Sequence, residues 1–248
     1  MVNVVQADSS RGDRLSAARA ALKGVEERLS TTRLAWDAPT LPLAECLALA
    51  LPEGLRRGQV VAVTGSTSLM FALAGEASRA GSWTAVIGMP HAGVVAAAGR
   101  GVDLTRLALI PHPGIHAAAV VASCVDGMDV VLLGSRLAMS DADRRRIAAR
   151  AREGGSALIV TGPWPGAHAV LDVKEMHWDG PGAGDGRLRG REMTVAIQGR
   201  SRGSVRTVTL AMDVDPQGRG LSRRAVPPDG VATAGVGDAP ARPAKGAA

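Results

Sequence analysis

Val60-Val61-Ala62-Val63-Thr64-Gly65-Ser66-Thr67-Ser68-Leu69-Met70 is the stretch whose reading decides the fold. Its opening run is apolar without alternation, the texture of a strand covered on both faces. Gly65 to Ser68 are small turn residues, and 69–80 reads as a helix ended by Gly81. A buried strand that feeds a helix through a short turn is the building unit of a parallel sheet, because parallel neighbours need a crossover between them.

Outward from this unit the pattern repeats. Strands are expected over 83–87, 107–110, 130–133 and 157–160, with helices from about 92 to 100, 115 to 125 and 141 to 152 between them. The last of these helices has Ser140 as its cap and Asp141 and Asp143 in its first turn, where the helix dipole favours negative charge. Beyond Thr161 the texture changes to turn-bounded strands at 169–173, 193–198 and 205–212, which predicts an antiparallel extension of the sheet. Upstream, Pro52 to Gly58 is a turn, 43–51 an apolar segment and 36–42 a proline-bounded linker. The predicted fold class is therefore α/β, with a mostly parallel sheet flanked by helices, antiparallel C-terminal strands and an N-terminal amphipathic helix.

That N-terminal helix carries Leu15, Ala18, Leu22, Val25 and Leu29 at alternating three- and four-residue steps, with Arg14, Arg19, Lys23, Glu26, Glu27 and Arg28 on other faces. The stripe has the width of a two-helix seam, so it packs either on its own domain or on a partner. From Asp213 onward Pro, Gly, Ala and charged residues run without periodicity, which predicts a disordered tail. The organisation expected is thus an N-terminal helix and linker over 1–42, a core over 43–212 and a tail over 213–248.

Hydrophobic residues make up 46% of the 248 and aromatics 2%, so the core has to be built from Ala, Val, Leu and Ile. The formal charge of +6 permits contact with nucleic acid or with an acidic protein surface without selecting between them. Cys46 and Cys124 show no paired motif and no secretory leader opens the chain, which points to a reducing cytoplasm. No apolar run reaches the ~20 residues that a membrane span needs.

The turn after the first strand sits where a nucleotide-binding domain of this layout carries its phosphate loop. A working loop reads G-x-x-x-x-G-K-[ST]: glycines let backbone N–H groups wrap the phosphates, Lys neutralises their charge, and Ser or Thr holds magnesium. Gly65-Ser66-Thr67-Ser68 is too short, lacks the second Gly and has no Lys. A magnesium-orienting Asp should end the fourth strand, yet Val130-Val131-Leu132-Leu133 runs into Gly134. A water-activating acid should follow the second strand, yet Ile87 leads into Gly88-Met89-Pro90-His91. Nucleotide hydrolysis is not expected, and the four residues of the turn read as a vestigial phosphate loop.

Other constellations are weaker. His112 and His116 are separated by Pro113 and Gly114, which argues against one continuous helix presenting both to a metal, and no G-x-S-x-G nucleophile elbow occurs. Catalytic and metal residues are therefore expected to be none. Arg144, Arg145 and Arg150 on the Ser140-capped helix are candidates for DNA phosphate contacts, while Arg187, Arg189, Arg191, Arg200, Arg202 and Arg206 are scattered through the C-terminal strands. Lacking aromatic partners for stacking bases, such contacts would be weak, salt-sensitive and sequence-blind.

The segment 43–212 resembles the RecA core, most specifically in Gly101-Val102-Asp103-Leu104-Thr105-Arg106-Leu107, which is similar to that family's lead into its third strand, with Pro111-His112-Pro113-Gly114 after it. The turn from Pro52 to Val60 resembles the one that precedes the family's phosphate-loop strand. RecA proteins carry long DNA-contacting loops after the fourth and fifth strands, and here 134–139 and 161–166 are too short for that grip. The whole chain looks most like the actinobacterial ImuA-type accessory factors of damage-induced mutagenesis, in Val63 to Leu69 followed by Ala74-Gly75-Glu76-Ala77-Ser78-Arg79-Ala80-Gly81-Ser82-Trp83. The resemblance implies a cytoplasmic, non-catalytic adaptor without a cofactor. It would bind an ImuB-type pseudo-polymerase and, through it, an error-prone DnaE-type polymerase and the sliding clamp in translesion synthesis. SulA-type division inhibitors are similar in fold, which leaves inhibition of cell division as an alternative beside a direct DNA-binding accessory role and an atypical nucleotide-binding switch.

Overall fold

Alternation of buried side chains along the strands sets the layers. A computed structural model describes residues 39–180, 190–199 and 205–213 of the protein. Its strands are β1 (Thr40–Leu41), β2 (Leu55–Arg56), β3 (Val60–Thr64), β4 (Thr84–Ile87), β5 (Leu107–Ile110), β6 (Val130–Leu133), β7 (Ala157–Thr161), β8 (Ala169–Asp179), β9 (Gly190–Gly199) and β10 (Arg206–Asp213). The α-helices are α1 (Thr67–Arg79), α2 (Val94–Ala98), α3 (Ala117–Gly127) and α4 (Asp141–Gly154). Eight strands form one sheet in the order β10-β9-β8-β3-β7-β6-β4-β5, mostly parallel and flanked by helices, with antiparallel strands at its C-terminal end.

Val61, Val63, Leu132 and Ile159 face one layer with Leu69, Met70 and Leu73 of α1, while Val60, Ala62, Val131 and Leu158 face the other with Val121 of α3 and Ile147 and Ala151 of α4. Period-two strands with both faces apolar read as continuous hydrophobic runs, and Val60 to Val63 is such a run for that reason. The segment before β3 closes the first layer. Leu41, Leu47, Leu51 and Leu55 are buried there with Met193, Val195, Ile197, Leu210 and Met212, and Arg206 donates from Nη2 to the Ala50 carbonyl at 2.8 Å. Leu41, which the prolines place in a linker, belongs instead to a strand paired with β2.

Two further expectations are corrected. The extension after Thr161 is not antiparallel throughout: β8 runs parallel to β3, from Val61 opposite Ala169 to Thr64 opposite Asp172, and only β9 and β10 reverse. Residues 162–168 look too short for a parallel crossover, which ordinarily takes a dozen or more residues. They suffice because Trp164 packs into the second core layer and His168 locks onto β3, its backbone N–H donating to the Val60 carbonyl and its Nδ1 accepting from the Val60 N–H. The helix expected over about 92–100 shrinks to Val94–Ala98, bounded by Gly93 without a side-chain cap and by Gly99.

The helix signalled by Ser140 forms as its capping residues dictate. Ser140 Oγ accepts from the Asp143 N–H, Asp143 Oδ2 accepts from the Ser140 N–H, and Gly155 at φ 73° ends the helix. Hydrogen bonds from Ser140 hold the Asp143 carboxyl below the usual carboxylate range, as the Arg150 guanidinium does for Asp126, Lys174 and Thr64 do for Asp172, and Thr105 does for Asp103. A carboxylate depressed in the folded state stabilises above its unfolded pKa of about 3.9, and that contribution is lost as pH falls through the folded value. Circular-dichroism melts are expected to give a flat Tm from pH 7 to about 5 and a lower Tm below about 4, the contacts being solvent-exposed. A protein as stable at pH 3 as at pH 7 would show that these contacts contribute nothing.

The stripe from Leu15 to Leu29 and the chain beyond Asp213 lie outside the described residues.

Candidate site at the C-terminal edge of the sheet

In an open α/β sheet a ligand crevice lies outside the carboxyl ends of the parallel strands, where neighbouring crossovers leave by opposite faces. Here α1 covers one face and α4 the other, so by that rule the candidate site is the carboxyl ends of β3, β7, β6 and β4.

At the end of β3 the backbone turns through Gly65 at φ 81°, and a Cβ there would stand 2.9 Å from the Val173 carbonyl oxygen of β8. Ser66 is extended and caps α1, its Oγ accepting from the Leu69 N–H at 3.2 Å. One amide donor of the helix start is therefore already used. Thr64 donates from Oγ1 to Asp172 Oδ1 at 2.5 Å, and Lys174 pairs with the same carboxylate. Gly65 and Thr67 are exposed, Ser66 and Ser68 half-buried, so the four predicted residues form a short surface turn rather than a wrapping loop. Deeper in, Thr161 Oγ1 lies 3.0 Å from the Leu133 carbonyl and 3.4 Å from Met70 Sδ, joining the ends of β7 and β6 to α1.

The ends of β6 and β4 are closed against each other. Gly134 donates its N–H to the Ile87 carbonyl at 2.9 Å, and a Cβ at 134 would stand 2.1 Å from the Gly88 carbonyl oxygen. Gly88 has φ 69°, and a Cβ there would meet Leu137 Cδ2 at 2.3 Å. Leu137 is buried over this junction. With this backbone a side chain at position 134 would run into the Gly88 carbonyl.

Of the three arginines predicted for phosphate contacts, Arg144 and Arg150 have partners within the domain. Arg150 binds Asp126 through Nε and Nη2 at 2.5 and 2.6 Å, Arg146 lies 3.7 Å from Asp143, and Arg144 lies over the Trp164 ring at 5.5 Å from its centroid. Arg145 is exposed. His112 and His116 both lie exposed after β5, His116 ending a 3-10 turn. Among the described residues no cluster of three or more His, Cys, Asp or Glu is placed to hold a metal ion. Likewise no described helix is long and apolar enough to cross a membrane.

One arginine does not belong to a solvated surface. Arg191 is 5% exposed, on the inward face of β9 with Met193 and Val195, and its guanidinium lies 5.2 Å from the Trp178 ring centroid. The signal for this was present in the sequence, because Arg191 continues the inward alternation of Met193, Val195 and Ile197.

A doubly wound α/β domain with a capped surface turn after β3 and the ends of β4 and β6 packed closely on each other is the class these features define. The model of the MT3502 N-terminal domain family matches residues 49–166, the stretch from just before β2 through the loop after β7. The uncharacterized protein Rv3395c of Mycobacterium tuberculosis (strain ATCC 25618 / H37Rv) is 36% identical over 160 residues, covering 61% of this chain and 78% of the relative. The chain belongs to this family.

Proposed function

We propose that the protein is a non-catalytic, RecA-like adaptor of a damage-induced translesion synthesis complex, binding an ImuB-type pseudo-polymerase and through it an error-prone DnaE-type polymerase and the sliding clamp. The observation that supports this reading most is the closure at Gly134 and Gly88, which leaves no room for a metal-orienting acid where a hydrolase of this layout needs one. A scaffold kept without its chemistry is kept for its surfaces, and the sequence offers two candidates beyond the described residues: the stripe at Leu15, Ala18, Leu22, Val25 and Leu29, and the segment after Asp213. Direct DNA contact receives less support, since Arg150 and Arg144 are engaged within the domain.

The experiment is co-expression of the full chain with a tagged ImuB-type pseudo-polymerase, followed by affinity capture and gel filtration. Co-elution as one complex is expected. Separate elution at micromolar concentrations would contradict the proposal.

A further inference from the structure

The outer faces of α3 and α4 leave a groove of about 700 Å³ between them. Where its lining is apolar it is small: Ala118 and Ala122 of α3, one turn apart, and Ala149 of α4 are all half-buried. Helix axes approach to about 8 Å where the contact residues are this small, so a third helix fits closely there. Charges of both signs stand along the groove, Arg146 and Arg150 beside Asp126, Asp143 and Glu153.

The described chain begins at the foot of this groove. Pro39, its first residue, accepts at its carbonyl from the Arg57 N–H at 3.0 Å. Arg57 in turn donates from Nη1 to the carbonyl of Gly155, the residue after α4, at 3.2 Å, and pairs with Asp129, two residues past α3, at 2.8 Å. Glu153 and Gly154, the last residues of α4, line the groove. One arginine therefore separates Pro39 from the C-terminal ends of both helices.

The chain before Pro39 is long enough to return along them. Residues 30–38 extend to about 30 Å at most, and Leu15 to Leu29 as a helix spans about 21 Å, the length of the 14 residues of α4. Its flanks carry both signs, Arg14, Arg19 and Lys23 against Glu26 and Glu27, as the groove does. A nucleic-acid backbone laid in the same place would meet the carboxylates of Asp126, Asp143 and Glu153.

We propose that the groove between α3 and α4 is the seat of the protein's own segment 15–29, which lays its apolar stripe over Ala118, Ala122 and Ala149. An open groove holds a helix by one face, so the segment leaves it by local opening well below the melting of the core, unlike a helix that is a permanent layer of the domain. The adaptor reading uses the same leucines, which rest here until a partner takes them.

Hydrogen exchange of the full chain at 25 °C, followed by mass spectrometry without any partner, tests the seat, so that it and the adaptor reading can fail separately. The parent is compared with an Ala118→Arg/Ala122→Arg variant and with a Leu15→Glu/Leu22→Glu/Leu29→Glu variant. Arginine and glutamate are good helix formers, and arginine at a half-buried site reaches solvent along its stem. Segment 15–29 is expected to exchange about tenfold more slowly in the parent than in either variant, with 60–64 and 130–133 alike in all three. If the arginine pair loosens 130–133, exchange over 118–126 in the leucine variant carries the comparison, and it should quicken as the groove is uncovered. Slow exchange of 15–29 that depends on protein concentration would overturn the assignment in favour of a second copy. Fast exchange of 15–29 in the parent, or equal rates in the parent and the folded groove variant, would overturn the seat itself.

Discussion

Replacing Gly75 by alanine is expected to destabilise the protein by about 3 kcal/mol or more, against the preference of helices for alanine over glycine. Gly75 is buried in the middle of α1, where propensity alone favours Ala by roughly 1 kcal/mol. A Cβ at that position would stand 1.8 Å from the Arg100 carbonyl oxygen and 2.9 Å from its carbon, both backbone atoms. Neither can rotate away as a side chain end would, so the chain after α2 has to move off α1. Overpacking of that kind ordinarily costs about 1–3 kcal/mol and more when backbone must shift, which outweighs the propensity gain. In a domain of this size the Tm should fall by on the order of 10 °C. Gly127, at the end of α3, is the control, since a Cβ there meets nothing within 4 Å and Gly127→Ala should melt at or above the parent. A Gly75→Ala protein as stable as the parent would mean that α1 and the Arg100 turn are not held this close.

The second large effect concerns docking. If the proposed adaptor role holds, replacing Leu15, Leu22 and Leu29 together by glutamate is expected to weaken capture of the proposed ImuB-type partner at least a hundredfold, with the Tm of the core unchanged. Each leucine fully buried in a seam contributes about 1.5–3 kcal/mol, so losing three exceeds the roughly 2.8 kcal/mol that a hundredfold change in Kd requires. The alternative use of the stripe predicts a different readout. A helix packed on its own domain would lose Tm when its leucines become charged. A deletion that probes the tail should begin after Asp213, which ends β10. Capture by both variants at parental strength would remove the two docking surfaces from the account.

The parallel core was legible because its signals are local. Strands over 107–110 and 130–133 fall where the apolar runs stand, and the Ser140 cap with Asp143 marks the start of α4 to the residue. What was not legible depends on contacts distant in sequence. The direction of β8 is set by Trp164 packing across the sheet and by His168 bonding to Val60, neither visible in a run of seven loop residues from 162 to 168. The absences at the phosphate loop could be read as missing residues, but not that Gly88 and Gly134 close on each other, because glycine in sequence does not say which backbone approaches it. Arg191 was readable from strand parity, yet counting arginines as a surface charge concealed it.

The central claim is that this α/β scaffold has given up nucleotide chemistry at the edge where Gly65, Gly88 and Gly134 lie. Isothermal titration calorimetry of the full chain with magnesium–ATP, followed by a phosphate-release assay on the same sample, tests it most directly. The account predicts no saturable heat at micromolar ATP and no turnover above a protein-free blank. Micromolar binding with phosphate release that disappears on Gly65→Val would contradict it.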